Sequence, residues 1–326
     1  GRRMSSRGPL PDVLRPVTIS LSRLYRLAID RRNARFDRGE GVRRADRPVI
    51  SVGNITTGGV GKTPFVSWLA RRLMDEGHRP MIAMRGYGGT AKKPSDEAME
   101  YEATLPDVPL AVNPDRAAGI EAALGRPEGQ NTDCVVLDDG FQHRRLARDI
   151  DLVLIDARAG TFAQRMLPAG HLREPLKSLR RATGVVITHA ESVDSRLAVE
   201  VERCHGKPPM AWTRHAWTGL ELHHPDGRTE RVEVDWLRGR RFVAMLAVGN
   251  PQAVIRQAEE AGAIVESRRI LRDHHRFDGG DAEFATEAPR DARFAGSLVT
   301  MKDWVKLGSI IREIDQEEPD LTAEEL

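Results

Sequence analysis

The sequence predicts an α/β protein: a parallel sheet covered by helices, followed by a second, smaller α/β unit. Three observations predict it. Short, continuous apolar runs alternate with helical stretches up to about residue 210, the pattern of strands buried on both faces. A glycine-rich loop joins the first of these runs to a helix. A turn signal at Pro225-Asp226-Gly227 then precedes a second alternation of the same kind. At 326 residues the chain is also longer than one hydrophobic core usually serves.

In chain order, residues 1–47 form a basic N-terminal segment. It holds thirteen arginines against Asp12, Asp30, Asp37, Glu40 and Asp46, so it carries +8 of a total of +2 and leaves −6 for the rest. Within it Val17, Leu21, Leu24 and Ala28 recur at helical spacing among arginines 23, 26, 31, 32 and 35, which predicts an amphipathic basic helix over 17–36. Such a helix packs on its own domain with solvated arginines outside, or it lies on an anionic membrane surface with its apolar stripe in the interface.

The first domain is expected over 48–210. Val49–Val52, Met81–Met84, Cys134–Leu137, Leu152–Ile155 and Val185–Thr188 read as strands, and 63–76 and 114–124 as helices. In 211–240, Trp217–His223 and Thr229–Val234 flank the turn signal and predict a two-stranded β linker. The smaller domain, 241–326, is expected to contain strands at Phe242–Val248, Ala263–Ile270 and Ser297–Thr300, a helix at 251–261, and an acidic tail that frays from Gln316.

Composition narrows the function. The only cysteines, Cys134 and Cys204, form no CxxC, which argues against a disulfide framework or a zinc site. No apolar run approaches the ~18 residues of a membrane span, and no secretory signal is evident. Aromatics make up 5% of the chain, and no basic face follows the N-terminal segment. Nucleic acid is therefore not an expected partner.

The glycine-rich loop is Thr56-Thr57-Gly58-Gly59-Val60-Gly61-Lys62-Thr63. Strand, loop and helix in this order are what a P-loop requires: backbone N–H groups turn onto phosphate oxygens, and the helix N-terminus adds partial positive charge. Lys62 would reach the β- and γ-phosphates, and the Thr63 hydroxyl would ligate Mg²⁺. Thr56 stands where the general pattern has glycine. About 75 residues on, Asp138-Asp139 close an apolar strand. This is a Walker B arrangement, in which a carboxylate holds Mg²⁺ directly or through water.

The surrounding motifs are more specific. Ser51-Val52-Gly53-Asn54-Ile55-Thr56 leads into Gly59-Val60-Gly61-Lys62-Thr63-Pro64. Beyond it come Arg85-Gly86-Tyr87-Gly88-Gly89, the run from Asp138 through Gly140-Phe141-Gln142-His143-Arg144-Arg145 to Asp149, and Leu167-Pro168-Ala169-Gly170-His171-Leu172-Arg173-Glu174-Pro175. Gly249-Asn250-Pro251 and Asp273-His274-His275 complete the set. Together these resemble the tetraacyldisaccharide 4′-kinase family, over about residues 17–307. The family's loop lacks the first Walker glycine, which accounts for Thr56.

The resemblance implies transfer of the γ-phosphoryl of ATP to the 4′-hydroxyl of a tetraacylated glucosamine disaccharide 1-phosphate. It implies a peripheral enzyme at the cytoplasmic face of the inner membrane, with two α/β domains joined by a two-stranded linker and the active site between them. It implies Asp96 as the base for the alcohol proton, paired with His274, and Lys62 as the catalytic lysine. Asp138, Asp139 and Glu174 would complete the Mg²⁺ shell with Thr63. Arg85, His143 and Arg173 are candidates for contact with substrate or nucleotide phosphate. As residues alone, Glu174 also reads as a surface ion pair and His143-Arg144-Arg145 as a solvated turn. The family's Gly-Asp-Glu-Pro is Ser95-Asp96-Glu97-Ala98 here, its Gly-Ile-Gly-Asn-Pro is Ala247-Val248-Gly249-Asn250-Pro251, and its late Thr-Glu-Lys-Asp is Thr300-Met301-Lys302-Asp303. None of these removes a candidate catalytic side chain. A GTPase would need Asn-Lys-x-Asp, and in Thr300-Met301-Lys302-Asp303 the lysine falls one place late.

Overall fold

A computed structural model describes residues 15–86, 95–273, 275–287 and 293–317. They divide into two compact units, Gly1–His215 and Ala216–Leu326.

The first unit is built on seven strands: β1 (Val49–Asn54), β2 (Pro80–Met84), β3 (Leu110–Val112), β4 (Cys134–Asp138), β5 (Ile150–Asp156), β6 (Gly184–Thr188) and β7 (Ala211–Trp212). Their order is β3-β2-β4-β1-β5-β6-β7, and every pairing is parallel. The helices are α1 (Arg15–Asp37), α2 (Lys62–Asp75), α3 (Asp96–Thr104), α4 (Arg116–Leu124) and α5 (Ser195–His205). The pleat divides the core: Val153, Ile155 and Val185 pack with Ile55 and Phe141, whereas Val52, Leu154 and Val186 pack with Val66, Ala70 and Tyr101. Both faces are thus covered, which is why the strands read as unbroken apolar runs. Each fully buried Val, Leu or Ile contributes about 1.5–3 kcal/mol.

Parallel pairing points every strand the same way, so the loops after β1, β4, β5 and β6 leave one edge of the sheet. Three elements escape the apolar pattern. Strand β3 is only three residues long. Helix α3 is rich in acids and lacks a continuous apolar stripe. Strand β7 adds Ala211 and Trp212 to the sheet edge beside β6, so these residues belong to the larger unit and not to a linker.

Helix α1 covers the predicted 17–36, and its apolar stripe points away from the domain rather than onto it. Val17, Leu21, Leu24 and Leu27 are 57, 45, 64 and 46% exposed. The packed face is instead Thr18, Ser22, Tyr25, Ile29 and Asn33. It is held by directional bonds, including Ser22 Oγ to the Met166 carbonyl at 2.8 Å.

The second unit has an antiparallel hairpin, β8 (Leu220–His223) with β9 (Thr229–Val232), and a three-stranded parallel sheet. That sheet runs β11 (Ile264–Ile270), β10 (Arg241–Leu246), β12 (Gly296–Leu298), with α6 (Pro251–Glu260), α7 (Gly279–Glu287) and α8 (Met301–Glu317). The hairpin belongs to this unit. Helix α8 continues through Gln316 to Glu317, past the expected start of fraying; residues 318–326 of the tail lie outside the described residues.

Candidate active site

The phosphate loop leaves β1 at Asn54 and enters α2 at Lys62, with Gly61 capping the helix at φ 80°. That left-handed backbone favours glycine. Gly53 is needed for a different reason: a Cβ there would lie 2.6 Å from the Phe141 Cβ. Gly58 and Gly59 are exposed, as a cradle for a ligand requires. Thr56 is buried. Its carbonyl accepts from Asn54 Nδ2 at 2.9 Å, and it bridges to Leu172. It anchors the base of the loop, so a side chain is accommodated where a cradle position would want glycine.

Lys62 Nζ lies 3.4 Å from Asn54 Oδ1 and 3.6 Å from Asp139 Oδ1. The two carboxylates after β4 are neighbours in sequence with opposite environments. Asp138 is buried and its acidity is weakened, with the pKa pushed up to about 6 chiefly by loss of solvent, though Lys62 pulls it down. Its Oδ2 accepts from the Tyr101 phenol at 2.9 Å. Its Oδ1 is buried with no hydrogen-bond partner among the described residues. The Thr63 hydroxyl reaches the same phenol. Burial also raises Asp139, but Lys62 and Arg173 outweigh it and hold that carboxyl below its ordinary value.

A second segment braces the loop. Thr57 N–H donates to the His171 carbonyl at 2.8 Å, and Arg173 N–H to the Ile55 carbonyl at 2.8 Å. His171 Nδ1 is 2.9 Å from Thr57 Oγ1. The Arg173 guanidinium grips Asp139 in a two-pronged pair at 3.0–3.2 Å. The segment Leu167–Pro175 is therefore a strap across the base of the phosphate loop.

In the smaller unit, Asp303 is buried and accepts from Ala247 N–H at 3.1 Å. Lys302 Nζ donates to Asp273 Oδ1 at 3.0 Å. His275 Nε2 and Arg269 Nη2 meet the buried Asp281 at 2.8 and 2.7 Å. The loops after β10, β11 and β12 thus bring together three motifs far apart in sequence.

The sequence pattern of the Tetraacyldisaccharide-1-P 4′-kinase family, LpxK, matches residues 14–321. The chain belongs to this family. It is 35% identical over 326 residues to the tetraacyldisaccharide 4′-kinase of Anaeromyxobacter sp. (strain K), covering 93% of this chain and 84% of that one. It is 35% identical over 312 residues to the enzyme so named from Geobacter metallireducens, covering 90% and 89%. A crystal structure of LpxK from Aquifex aeolicus in complex with ATP is similar over 90% of both chains, with a TM-score of 0.69 and 30% identity.

Several residues of this kinase sit differently from the sequence expectation. Glu174 is fully buried, and both its oxygens are taken: Arg181 binds them at 2.8 and 2.9 Å, and Asn33 Nδ2 adds a bond at 3.0 Å. It is neither a surface ion pair nor open to a cation unless Arg181 lets go. Arg173 is spent on Asp139 and is not presented to a phosphate. His143 is not cationic near neutrality, because burial and the charges of Arg116 and Arg148 push its pKa down to about 4. Arg85 is exposed just after β2. Asp96 opens α3, capped by Ser95 Oγ, which accepts from Ala98 N–H. The next residue, Glu97, is near enough to raise the Asp138 pKa. His274 lies outside the described residues.

Five contributors carried no role in the sequence reading. Asn54 and Gln142 lie within quoted motifs, and Gln142 Nε2 donates to the Asn54 carbonyl at 2.8 Å. Tyr101 has no local signal. Thr188, at the end of β6, and His189, just after it, close on the loop: Thr188 Oγ1 donates to the Val60 carbonyl at 2.8 Å, and His189 pairs with Asp156 at 3.0 Å. Only the apolar run Val185–Thr188 hinted at them.

Proposed function

We propose that this chain performs the family reaction, ATP-dependent phosphorylation of the 4′-hydroxyl of tetraacyldisaccharide 1-phosphate in lipid A biosynthesis, with the phosphate site just described. The observation that carries the reading is the convergence of Lys62, Thr63, Asp138 and Asp139 on one edge of an all-parallel sheet, with Lys62 held between Asn54 and Asp139.

In this reading residues 56–63 cradle the polyphosphate, and Lys62 moves from Asp139 to the β- and γ-phosphates. Mg²⁺ fits the donors present. Asp138 offers a buried Oδ1 with no hydrogen-bond partner among the described residues, and its pKa is raised chiefly because burial strips the carboxylate of solvent. Thr63 supplies a hydroxyl beside it. No cluster of three or more His, Cys, Asp or Glu exists among the described residues, which suits an ion that keeps waters and phosphate oxygens as ligands. When bound, the ion would neutralise charge on the transferring phosphoryl group. Asp139 orients Lys62 and Arg173, and Glu174 stands behind them. Asp96 is the proposed base for the sugar hydroxyl, with His274 as its partner; its place in the first turn of α3 suits an anionic side chain. Arg85, at the end of β2, is the remaining candidate for substrate contact.

The acyl chains of the substrate remain in a bilayer, so the enzyme has to work at its surface. No helix among the described residues is long and apolar enough to cross a membrane. Helix α1 supplies a docking face instead: Val17, Leu21, Leu24 and Leu27 point outward, with exposed Arg23, Arg26 and Arg31 to meet anionic headgroups. The proposed location is the cytoplasmic face of the inner membrane.

One assay tests the reaction: γ-labelled ATP with the tetraacyl disaccharide 1-phosphate in mixed micelles. The wild type should yield labelled lipid, and Lys62→Ala should lower the rate by roughly 10²–10³-fold. No labelled lipid from the wild type would refute the assignment. Docking is tested separately. Leu21→Ser with Leu24→Ser should reduce co-sedimentation with anionic vesicles, and unchanged sedimentation would remove α1 from that role.

A further inference from the structure

We infer that α1 is also a positioning element of the phosphate site, with Arg32 and Asn33 acting on Lys62 through Gln142 and Glu174. Two routes run from this helix to the same ammonium group. In the first, the Arg32 guanidinium donates to the Gln142 carbonyl. Gln142 Nε2 donates to the Asn54 carbonyl at 2.8 Å, and Asn54 Oδ1 holds Lys62 at 3.4 Å. In the second, Tyr25 OH donates to the Arg173 carbonyl at 3.1 Å, and Asn33 Nδ2 to Glu174 Oε2 at 3.0 Å. Arg173 then grips Asp139, which lies 3.6 Å from Lys62.

The packed face of α1 makes this more than adjacency. A helix held by apolar contacts alone can slide without losing much energy. Here the inward residues include Thr18, Ser22 and Asn33, all buried. Buried polar groups are costly unless bonded, and their bonds fix direction and register. Glu174 is buried completely between Asn33 and Arg181, whose guanidinium also lies 3.6 Å over the Phe141 ring. A shift of α1 would leave Glu174 short of a donor and release the strap that carries Arg173. The apolar stripe and this polar face are opposite sides of one helix, so the surface proposed to meet lipid is backed by the residues that set the lysine.

The inference rests on the phosphoryl-transfer reading, and its test separates the two. The full chain is assayed in mixed micelles at saturating ATP and lipid, with kcat expressed per active site from the single-turnover burst. Arg32→Ala and Asn33→Ala should each lower kcat per active site roughly tenfold, with both KM values within about twofold of wild type. Arg32→Lys, which keeps a cationic donor, should recover most of the rate. Purely structural damage would reduce the burst and the melting temperature but leave kcat per active site intact. Wild-type kcat in both alanine variants, a loss confined to the lipid KM, or no recovery by lysine would overturn the inference alone. No transfer by the wild type would overturn the phosphoryl-transfer reading and this inference with it.

Discussion

The two parallel sheets end differently. Strands β2, β4 and β6 of the larger sheet are buried at every residue, and the polar and charged groups at its edge have partners drawn from distant segments: Asp139 with Arg173, Asp138 with Tyr101, Asn54 with Gln142. In the smaller sheet, β11 is mostly exposed, and Asp273 meets Lys302 near solvent. Its enclosed acidic anchors among these motifs are Asp281, beneath His275 and Arg269, and Asp303, which accepts from Ala247 N–H. A buried edge can hold groups in place before the ligand arrives, which is what electrostatic catalysis requires. An exposed edge offers side chains that rearrange at little cost.

The sharpest way to break the contrast is Asp138→Asn. It should lower kcat by roughly 10²–10³-fold, as loss of a preorganised charged group does. It should also stabilise the ligand-free protein. The folded pKa of Asp138, about 6, lies above the ordinary 3.8, so ionised Asp138 costs nothing below about pH 4. The penalty grows as pH rises toward 6 and is full above it, on the order of 3 kcal/mol. Thermal unfolding at pH 7.5 without nucleotide or Mg²⁺ should therefore show Asp138→Asn melting above wild type. A lower melting temperature would mean that the carboxylate is not strained by burial.

Asp281→Asn probes the smaller unit. Removing the charge leaves Arg269 and His275 short of their partner and should cost about 1–3 kcal/mol. Calorimetry should place the loss in a transition of the smaller unit, and an unchanged thermogram would make that anchor unimportant. His143→Gln is the mildest change. The folded pKa of His143, about 4, lies below the ordinary 6.5. The unfolded chain takes up a proton that the folded chain refuses, so wild-type stability falls as pH drops from about 6.5 to 4. Glutamine should flatten that slope by about 1–2 kcal/mol once solvent screening is allowed for. Equal slopes would show that His143 titrates normally.

The same contrast explains what was readable from sequence. Strands buried on both faces leave long apolar runs, so β1, β2, β4, β5 and β6 are visible within two residues of their ends. Phosphate-loop chemistry is local, so Lys62, Thr63 and Asp138-Asp139 are visible from spacing alone. Helix α3 was hidden, because its work is done by Tyr101 through one long-range bond to Asp138. The contact of Glu174 with Asn33 was equally hidden: Asn33 lies 141 residues away, and no pattern in either segment points to the other. The packing of α1 was hidden for a related reason. Its apolar stripe is real, but the opposite face packs through hydroxyls and an amide that a hydropathy pattern counts as surface.

The most direct test of the account is where the phosphate goes. The lipid product formed from ATP can be isolated and examined by phosphorus–proton correlation NMR. One new phosphomonoester is expected, coupled to the proton at the 4′ carbon of the non-reducing sugar, and strongly reduced with Lys62→Ala. A new phosphate on any other hydroxyl, or ATP consumed with release of inorganic phosphate alone, would contradict it.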